Sequence, residues 1–229
     1  MDSGGRAVID YARGMNIMTT TVLGAPEQRV VMTGVSWATY ERLLADLKDS
    51  SSPRLTFDKG VLEVVSPSAE HEESNRTISL LVEVVAEEFG VDVRSLGSTT
   101  FRREDLEQGF EPDSCFYVQN EARMRGKREI DLTVDPPPDL IVEVDITSPS
   151  LQKLPLYARV GVPEVWRYDG ERMTIYRPAG GDYEVAEVSA VLPGVTVRDL
   201  TRFLEESRTQ RRTLWLKGVR EWAQTLAGS

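Results

Sequence analysis

The chain has 229 residues, 40% hydrophobic and 28% charged, and its 37 acidic against 27 basic side chains leave a net charge of −10. At about 150 residues per domain, that length suits one domain or two and a core of ordinary size. The negative balance excludes a global positive field for nucleic acid or anionic lipid, so any polyanion must be met by local basic segments. The single cysteine, Cys115, excludes an internal disulfide. No apolar run approaches the ~18 residues of a membrane span, and no signal segment is visible, so the expectation is a soluble cytoplasmic protein without a membrane partner. One histidine, His71, leaves too few nitrogen and sulfur ligands for a zinc cluster, a haem or a histidine-dependent triad, and the chemistry falls to carboxylates.

Residues 1–30 are small, polar and aperiodic and read as a disordered leader. Ser36 caps a helix running to about Leu47, in which Trp37, Tyr40, Leu43, Leu44 and Leu47 recur at helical spacing. Two alternating runs, 54–57 and 61–65, flank Asp58-Lys59-Gly60 and predict a tight hairpin. Residues 66–90 predict a long helix with acids in its first turn, a stripe of Ile78, Leu81, Val82, Val85 and Phe89, and a stop at Gly90. One heptad before Ile78 stands His71, with Asn75 beside it on the inward face and Glu72 and Glu73 flanking it.

Short strands follow at 91–96, 99–103 and 113–118, then a charged, proline-terminated surface loop over 119–138. The run 139–146 predicts a central strand, with Leu140, Val142, Val144 and Ile146 on one face and Asp139, Ile141, Glu143 and Asp145 on a solvent-open one. A helix over 150–160 stops at Gly161-Val162-Pro163, strands 164–168 and 172–177 pair around Asp169-Gly170, and another strand spans 183–188. From Val197 the chain is helical again, and Trp215, Val219, Trp222 and Leu226 form a stripe whose indoles pack on the body or on a partner. This order predicts one α/β domain over 31–207, with the leader at 1–30 and a helical tail at 208–229.

Phe110-Glu111-Pro112-Asp113 opens one strand, and Asp139, Glu143 and Asp145 lie in another, so neighbouring strands can bring these carboxylates together. Clustered acids repel one another and lose hydration, a cost that Mg²⁺ or Mn²⁺ offsets through hard oxygen ligands. Such a cation lowers the pKa of bound water and stabilises charge on a phosphoryl oxygen, which a nearby lysine also neutralises; Lys153 is the nearest candidate. The plain structural alternatives are a solvated sheet edge for the acids, a bond across the helix entrance for His71, and a bond to a backbone amide of the following turn for Asp145. Cys115 reads as core, and Trp166 and Tyr168 as packing. Segments 119–131 and 208–212 carry the positive charge that could meet a polyanion.

From Gly34 to Trp222 these motifs, in order, resemble the Uma-type restriction-endonuclease family of the PD-(D/E)xK nuclease superfamily. The resemblance rests on Ser66-Pro67-Ser68 followed by His71, on Glu111-Pro112-Asp113, and on Pro138-Asp139-Leu140-Ile141-Val142-Glu143-Val144. It continues through Ser148-Pro149-Ser150, Lys153-Leu154 with Tyr157, and Gly161-Val162-Pro163-Glu164-Val165-Trp166. It implies a restriction-endonuclease-like α/β fold, a mixed central sheet flanked by helices, with an N-terminal hairpin and a C-terminal helical tail. It further implies Asp113 and Glu143 as metal ligands and Asp113, Glu143 and Lys153 as catalytic residues, with the Val144 carbonyl as a further ligand. Two positions after Glu143, where the superfamily has its lysine, stands Asp145. An acid of the first long helix completes such sites, and His71, Glu72, Glu73 and the hairpin residue Glu63 stay open for an auxiliary role, as does Asp145.

The implied function is a Mg²⁺- or Mn²⁺-dependent endonuclease acting on DNA. The alternative is a noncatalytic module of the same fold that works through homodimerisation or partner binding by the helix over 215–222. Removing Asp113 or Glu143 is expected to relieve repulsion and leave the fold intact or more stable.

Overall fold

The computed structural model of the protein describes residues 16–19, 27–48, 50, 52–146 and 153–228. Most of the expected leader, together with Ser148-Pro149-Ser150, lies outside them. The N-terminal half contributes β1 (Asn16–Thr19), β2 (Gln28–Thr33), α1 (Trp37–Leu47), β3 (Arg54–Asp58), β4 (Val61–Ser66) and α2 (Ala69–Glu88). Short strands β5 (Arg94–Ser95), β6 (Phe101–Arg103), β7 (Gln108–Phe110) and β8 (Ser114–Tyr117) come next, then α3 (Glu121–Met124) and β9 (Leu140–Val144). The chain continues with α4 (Leu154–Val160), β10 (Val165–Tyr168), β11 (Met173–Ala179), β12 (Asp182–Ala186), α5 (Val197–Thr209) and α6 (Arg212–Ala227).

These strands form two six-stranded sheets. The first, ordered β1-β2-β4-β3-β7-β6, is antiparallel throughout. The second, β12-β11-β10-β9-β8-β5, is mixed: only β9 and β10 run parallel, and α4 lies in the crossover between them, as a parallel pair requires. The mixed α/β fold expected from the sequence is therefore present, with one difference. The N-terminal hairpin is the middle of a second sheet rather than an appendage.

Local chemistry explains the elements. Ser36 and Ser68 cap α1 and α2 by accepting from the amides of Thr39 and His71. Lys59 (φ 48°) and Gly60 (φ 89°) both take positive φ, the requirement of a two-residue hairpin turn with the strands' own twist. β9 is buried along its whole length, because α2, α5 and α6 cover one face of the mixed sheet while α4 covers the other. The acids of this strand are thus not on an open face. Asp139 leaves it altogether: its carboxylate accepts from the amides of Val118 (2.7 Å) and Asn120 (2.9 Å), anchoring the long connection.

The helical tail is bound into the body. Trp215 is buried and its Nε1–H donates to the Phe203 carbonyl at 2.8 Å, the Trp222 ring lies 4.8 Å from that of Phe203, and Arg220 pairs with Glu88 at 2.6 Å. The indoles pack on the chain itself. Among the described residues no helix is long and apolar enough to cross a membrane.

β7 joins the two sheets, since it pairs with β3 and leads directly into β8. Here Gly109 faces the buried ring of Tyr40, which stacks on Phe57 at 5.1 Å; a Cβ on Gly109 would stand 2.5 Å from Tyr40 Cζ. A ring clamped between Phe57 and Trp37 has nowhere to move. Gly109→Ala is expected to lower stability by about 1–3 kcal/mol, the range for overpacking, as read by chemical denaturation. An unchanged midpoint would mean that this junction is loose.

Candidate functional site

The strand register builds the site. Ser114 of β8 lies opposite Val142 of β9, which sets Asp113, the residue before β8, across from Glu143, and Arg167 of β10 is the parallel partner of Glu143. Asp113, Glu143 and Arg167 therefore form a row across three adjacent strands on the face that α4 covers. Register neighbours stand about 5 Å apart, so charges in such a row feel one another strongly. The Val144 amide donates to Asp113 Oδ2 at 2.6 Å, locking the aspartate to the next strand. Lys153 Nζ donates to Glu143 Oε2 at 2.7 Å, and the Tyr157 hydroxyl, one turn further along α4, donates to Oε1.

Asp113 is held from the opposite side by the first sheet and α2. Arg54, the first residue of β3, donates to Asp113 Oδ1 and also to Glu72 at 2.5 Å. His71, in the first turn of α2, places Nε2 3.0 Å from Asp113 Oδ1 and Nδ1 3.1 Å from Glu27 Oε2. Glu27 in turn pairs with Arg29 at 2.7 Å, and Arg29 with Glu63 at 3.3 Å. Asn75, one turn beyond His71, donates to the Asp113 carbonyl at 3.0 Å. Cations and carboxylates thus alternate from Arg29 through Glu27, His71 and Asp113 to Arg54 and Glu72.

Burial makes this alternation necessary. Asp113 is 3% exposed and Glu143 5%. Burial alone pushes the Asp113 carboxyl up, but the His71 hydrogen bond and the charges of Arg54 and Lys153 outweigh it and hold the group below its usual range. Glu143 goes the other way. Burial and the neighbouring charges of Asp113 and Asp145 raise it, against the opposing pull of Lys153. The lysine is itself raised, since the charges of Glu143 and Asp113 outweigh its own burial. His71 is lowered by burial and by Arg54, whose Nη1 lies 3.0 Å from Nε2, but raised more by its bonds to Asp113 and Glu27, to about 9, which favours the imidazolium with a proton toward each carboxylate.

Of the residues singled out in the sequence, Asp113, Glu143, Lys153 and His71 come together, and Glu72 joins them at the rim through Arg54. Asp145 Oδ2 accepts from Arg167 Nε at 2.6 Å, and residues 147–150 of the turn whose amide it was expected to meet lie outside the described residues. Glu73 stays exposed, and Glu63 is buried beside Arg29. Glu111 is spent elsewhere, accepting from the Leu55 amide at 2.8 Å. Glu27, Arg29, Arg54 and Arg167 are missing from the sequence-derived set. The only trace of Arg54 is a charged residue opening an otherwise apolar strand. Removal of Asp113 is not a relief of repulsion: it would strand Arg54 and His71 without their shared partner, a loss of about 3–5 kcal/mol for a broken buried pair. Glu143 is raised by burial and by its acidic neighbours, so protonating it relieves a cost, although Lys153 then loses its ionised partner.

Comparisons with known proteins agree with this architecture. The chain is similar to a protein of known structure from Anabaena variabilis, described as a putative nuclease belonging to DUF820, with 15% identity and a TM-score of 0.50 over 74% of this chain and 99% of that one. At that identity the likeness establishes the fold. No curated protein matches the chain. The Uma2 family model, described as "Putative restriction endonuclease", matches residues 37–210, a span that holds α1, both sheets' central strands and every site residue from Arg54 to Arg167. The chain belongs to the Uma2 family.

Proposed function

We propose that the protein is a divalent-metal-dependent endonuclease that hydrolyses phosphodiester bonds in DNA, with Asp113 and Glu143 as metal ligands and Lys153 as the cation nearest the reacting phosphate. The observation that carries this reading is the pair of buried carboxylates facing each other across β8 and β9, Asp113 held below its usual range by its cations and Glu143 raised by burial and by its acidic neighbours. Asp113 is offset by Arg54 and His71 but Glu143 only by Lys153, so the pair keeps a residual repulsion that a bound hard cation would lessen.

The donor set suits Mg²⁺ or Mn²⁺. Among the described residues no group of three histidine, cysteine or acidic side chains could enclose an ion. Mg²⁺ asks for less: it keeps several waters and binds through one or two carboxylates plus substrate phosphate oxygens. An ionised carboxylate has about four lone-pair positions, and those of Asp113 are only partly taken by Arg54, His71 and Val144. When bound, the ion would supply a nucleophilic water at neutral pH and neutralise charge on the phosphoryl oxygen.

The chain's own residues do the rest. Val144 N–H and the His71–Arg54 pair fix the plane of the Asp113 carboxylate and keep it charged. Tyr157 and Lys153 orient Glu143 from α4, so the two acids are held from opposite sides. Lys153 keeps its ammonium within the field of both carboxylates, placed to counter charge that develops on the phosphate. Arginine and lysine in segments 119–131 and 208–212 are the means by which a chain of charge −10 meets a polyanion, so binding should weaken with salt. The noncatalytic alternative relied on the indoles of α6, and those pack inside the chain.

Plasmid nicking in Mg²⁺ tests the reading. Glu143→Gln, which preserves shape, and Lys153→Ala should each slow cleavage by about 10²–10³-fold, the loss typical of one transition-state electrostatic contact, assayed at a temperature where circular dichroism shows each variant folded, since each breaks the buried pair. Cleavage at the wild-type rate by both variants would overturn it. The His71 clamp has its own signature in stability. With its folded pKa near 9, above the ordinary 6.5, His71 adds stability in full below pH 6.5 and loses it as pH rises to about 9. Thermal unfolding of the wild type should therefore shift downward across that window, and His71→Gln should remove most of the slope. An identical slope in both proteins would contradict the doubly bonded imidazolium.

A further inference from the structure

The site carries a second cation on the strand beyond Glu143. Arg167 is the register partner of Glu143 on β10, and Asp145 continues β9 one step past that pair, its amide bonded to the Tyr168 carbonyl at 2.7 Å. Glu143, Asp145 and Arg167 share one face of the sheet, and Asp145 Oδ2 accepts from Arg167 Nε at 2.6 Å. A guanidinium has five N–H donors in a fixed fork. The bond to Asp145 uses one of them. The side chain of Arg167 is 30% exposed, against 19% for Lys153, whose ammonium is already committed to Glu143.

We infer that Arg167, held in place by Asp145, contacts the phosphate of a bound phosphodiester beside Glu143, and that Asp145 is a positioning residue which exchanges a lysine on its own strand for an arginine on the next. The inference rests on the nuclease reading for the identity of the ligand. Electrostatics motivates it. Arg54 and His71 already offset Asp113, so the negative charge left beside a phosphate is that of Glu143 and Asp145, and Lys153 meets only the first of these. An aspartate at the second position after Glu143 makes that row more negative by itself. Paired with Arg167 it becomes neutral, and it aims a planar fork whose geometry matches two phosphate oxygens.

The test uses a fluorescein-labelled DNA oligonucleotide, its binding followed by anisotropy in Ca²⁺, and nicking of plasmid in Mg²⁺ with the same proteins. Arg167→Ala should weaken oligonucleotide binding about 10- to 100-fold, as loss of a charge-assisted contact does, with partial recovery when guanidinium ion is added. Arg167→Lys should bind between the two, and Asp145→Asn should weaken binding less than Arg167→Ala and gain nothing from guanidinium. If Arg167→Ala fails to fold because Asp145 is left unpaired, the double variant Arg167→Ala/Asp145→Ala takes its place with the same expectation. Equal binding by wild type and the arginine-free variant, whether weak or tight, overturns the inference. Wild-type binding that depends on Arg167 but comes without any nicking would uphold it while removing the nuclease reading.

Discussion

The buried carboxylate of Asp113 is the constraint on which the molecule is organised. An ionised group this deep is tolerated only where paired charges and hydrogen bonds replace water, and here the replacements come from everywhere at once: Arg54 from the first sheet, His71 from α2, and the Val144 amide from the mixed sheet. Each donor sits on a different element, so the docking of the two sheets and the helix between them is measured by whether these bonds can all form. Packing of Tyr40 against Gly109 and Phe57 serves the same end, since it fixes β3, and with it Arg54, relative to the strand that leads into Asp113. Fold and site are held by one interaction.

Around that point charge is distributed in alternation. Glu27, Glu63, Asp113, Glu143 and Asp145 are each faced by Arg29, His71, Arg54, Lys153 or Arg167. A chain with net charge −10 thereby has a site of near-balanced charge, with acids able to hold a hard cation and bases able to receive a phosphate. Burial raises both carboxyls, and the asymmetry between Asp113, held below its usual range, and Glu143, left raised, follows from how many cations face each one.

Much of this was legible in the sequence where a period or a cap carries the signal. The stripe from Ile78 to Phe89 and the serine before it mark α2 to within a few residues, and Lys59-Gly60 marks the hairpin. The acids at 113 and 143 were legible too, through motif order. What escaped was long-range. β7 is three residues long and pairs with β3 only because the fold brings them together, while β1 and the start of β2 fall in the stretch expected to be a disordered leader, where the apolar residues Ile17-Met18 and Val30-Val31-Met32 are contiguous and show no alternation. Glu27 and Arg54 look like ordinary charged residues until His71 and Asp113 stand beside them. The burial of both faces of β9 was likewise unreadable, since a strand carrying Glu143 and Asp145 has the pattern of one open to water on one side.

The central claim is that Asp113 and Glu143 together hold a divalent cation, and calorimetric titration of Mn²⁺ into the wild-type protein and into Asp113→Asn measures it most directly. The asparagine keeps the shape, and its one carbonyl oxygen accepts from Val144 or from the Arg54 side but not from both, so circular dichroism must show the variant folded before its titration is read. One bound ion per chain in the wild type, lost or weakened by more than about tenfold in the variant, is the predicted result, since a charged ligand has been replaced by a neutral one. Equal binding by both proteins, or no heat of binding in the wild type, would contradict the account.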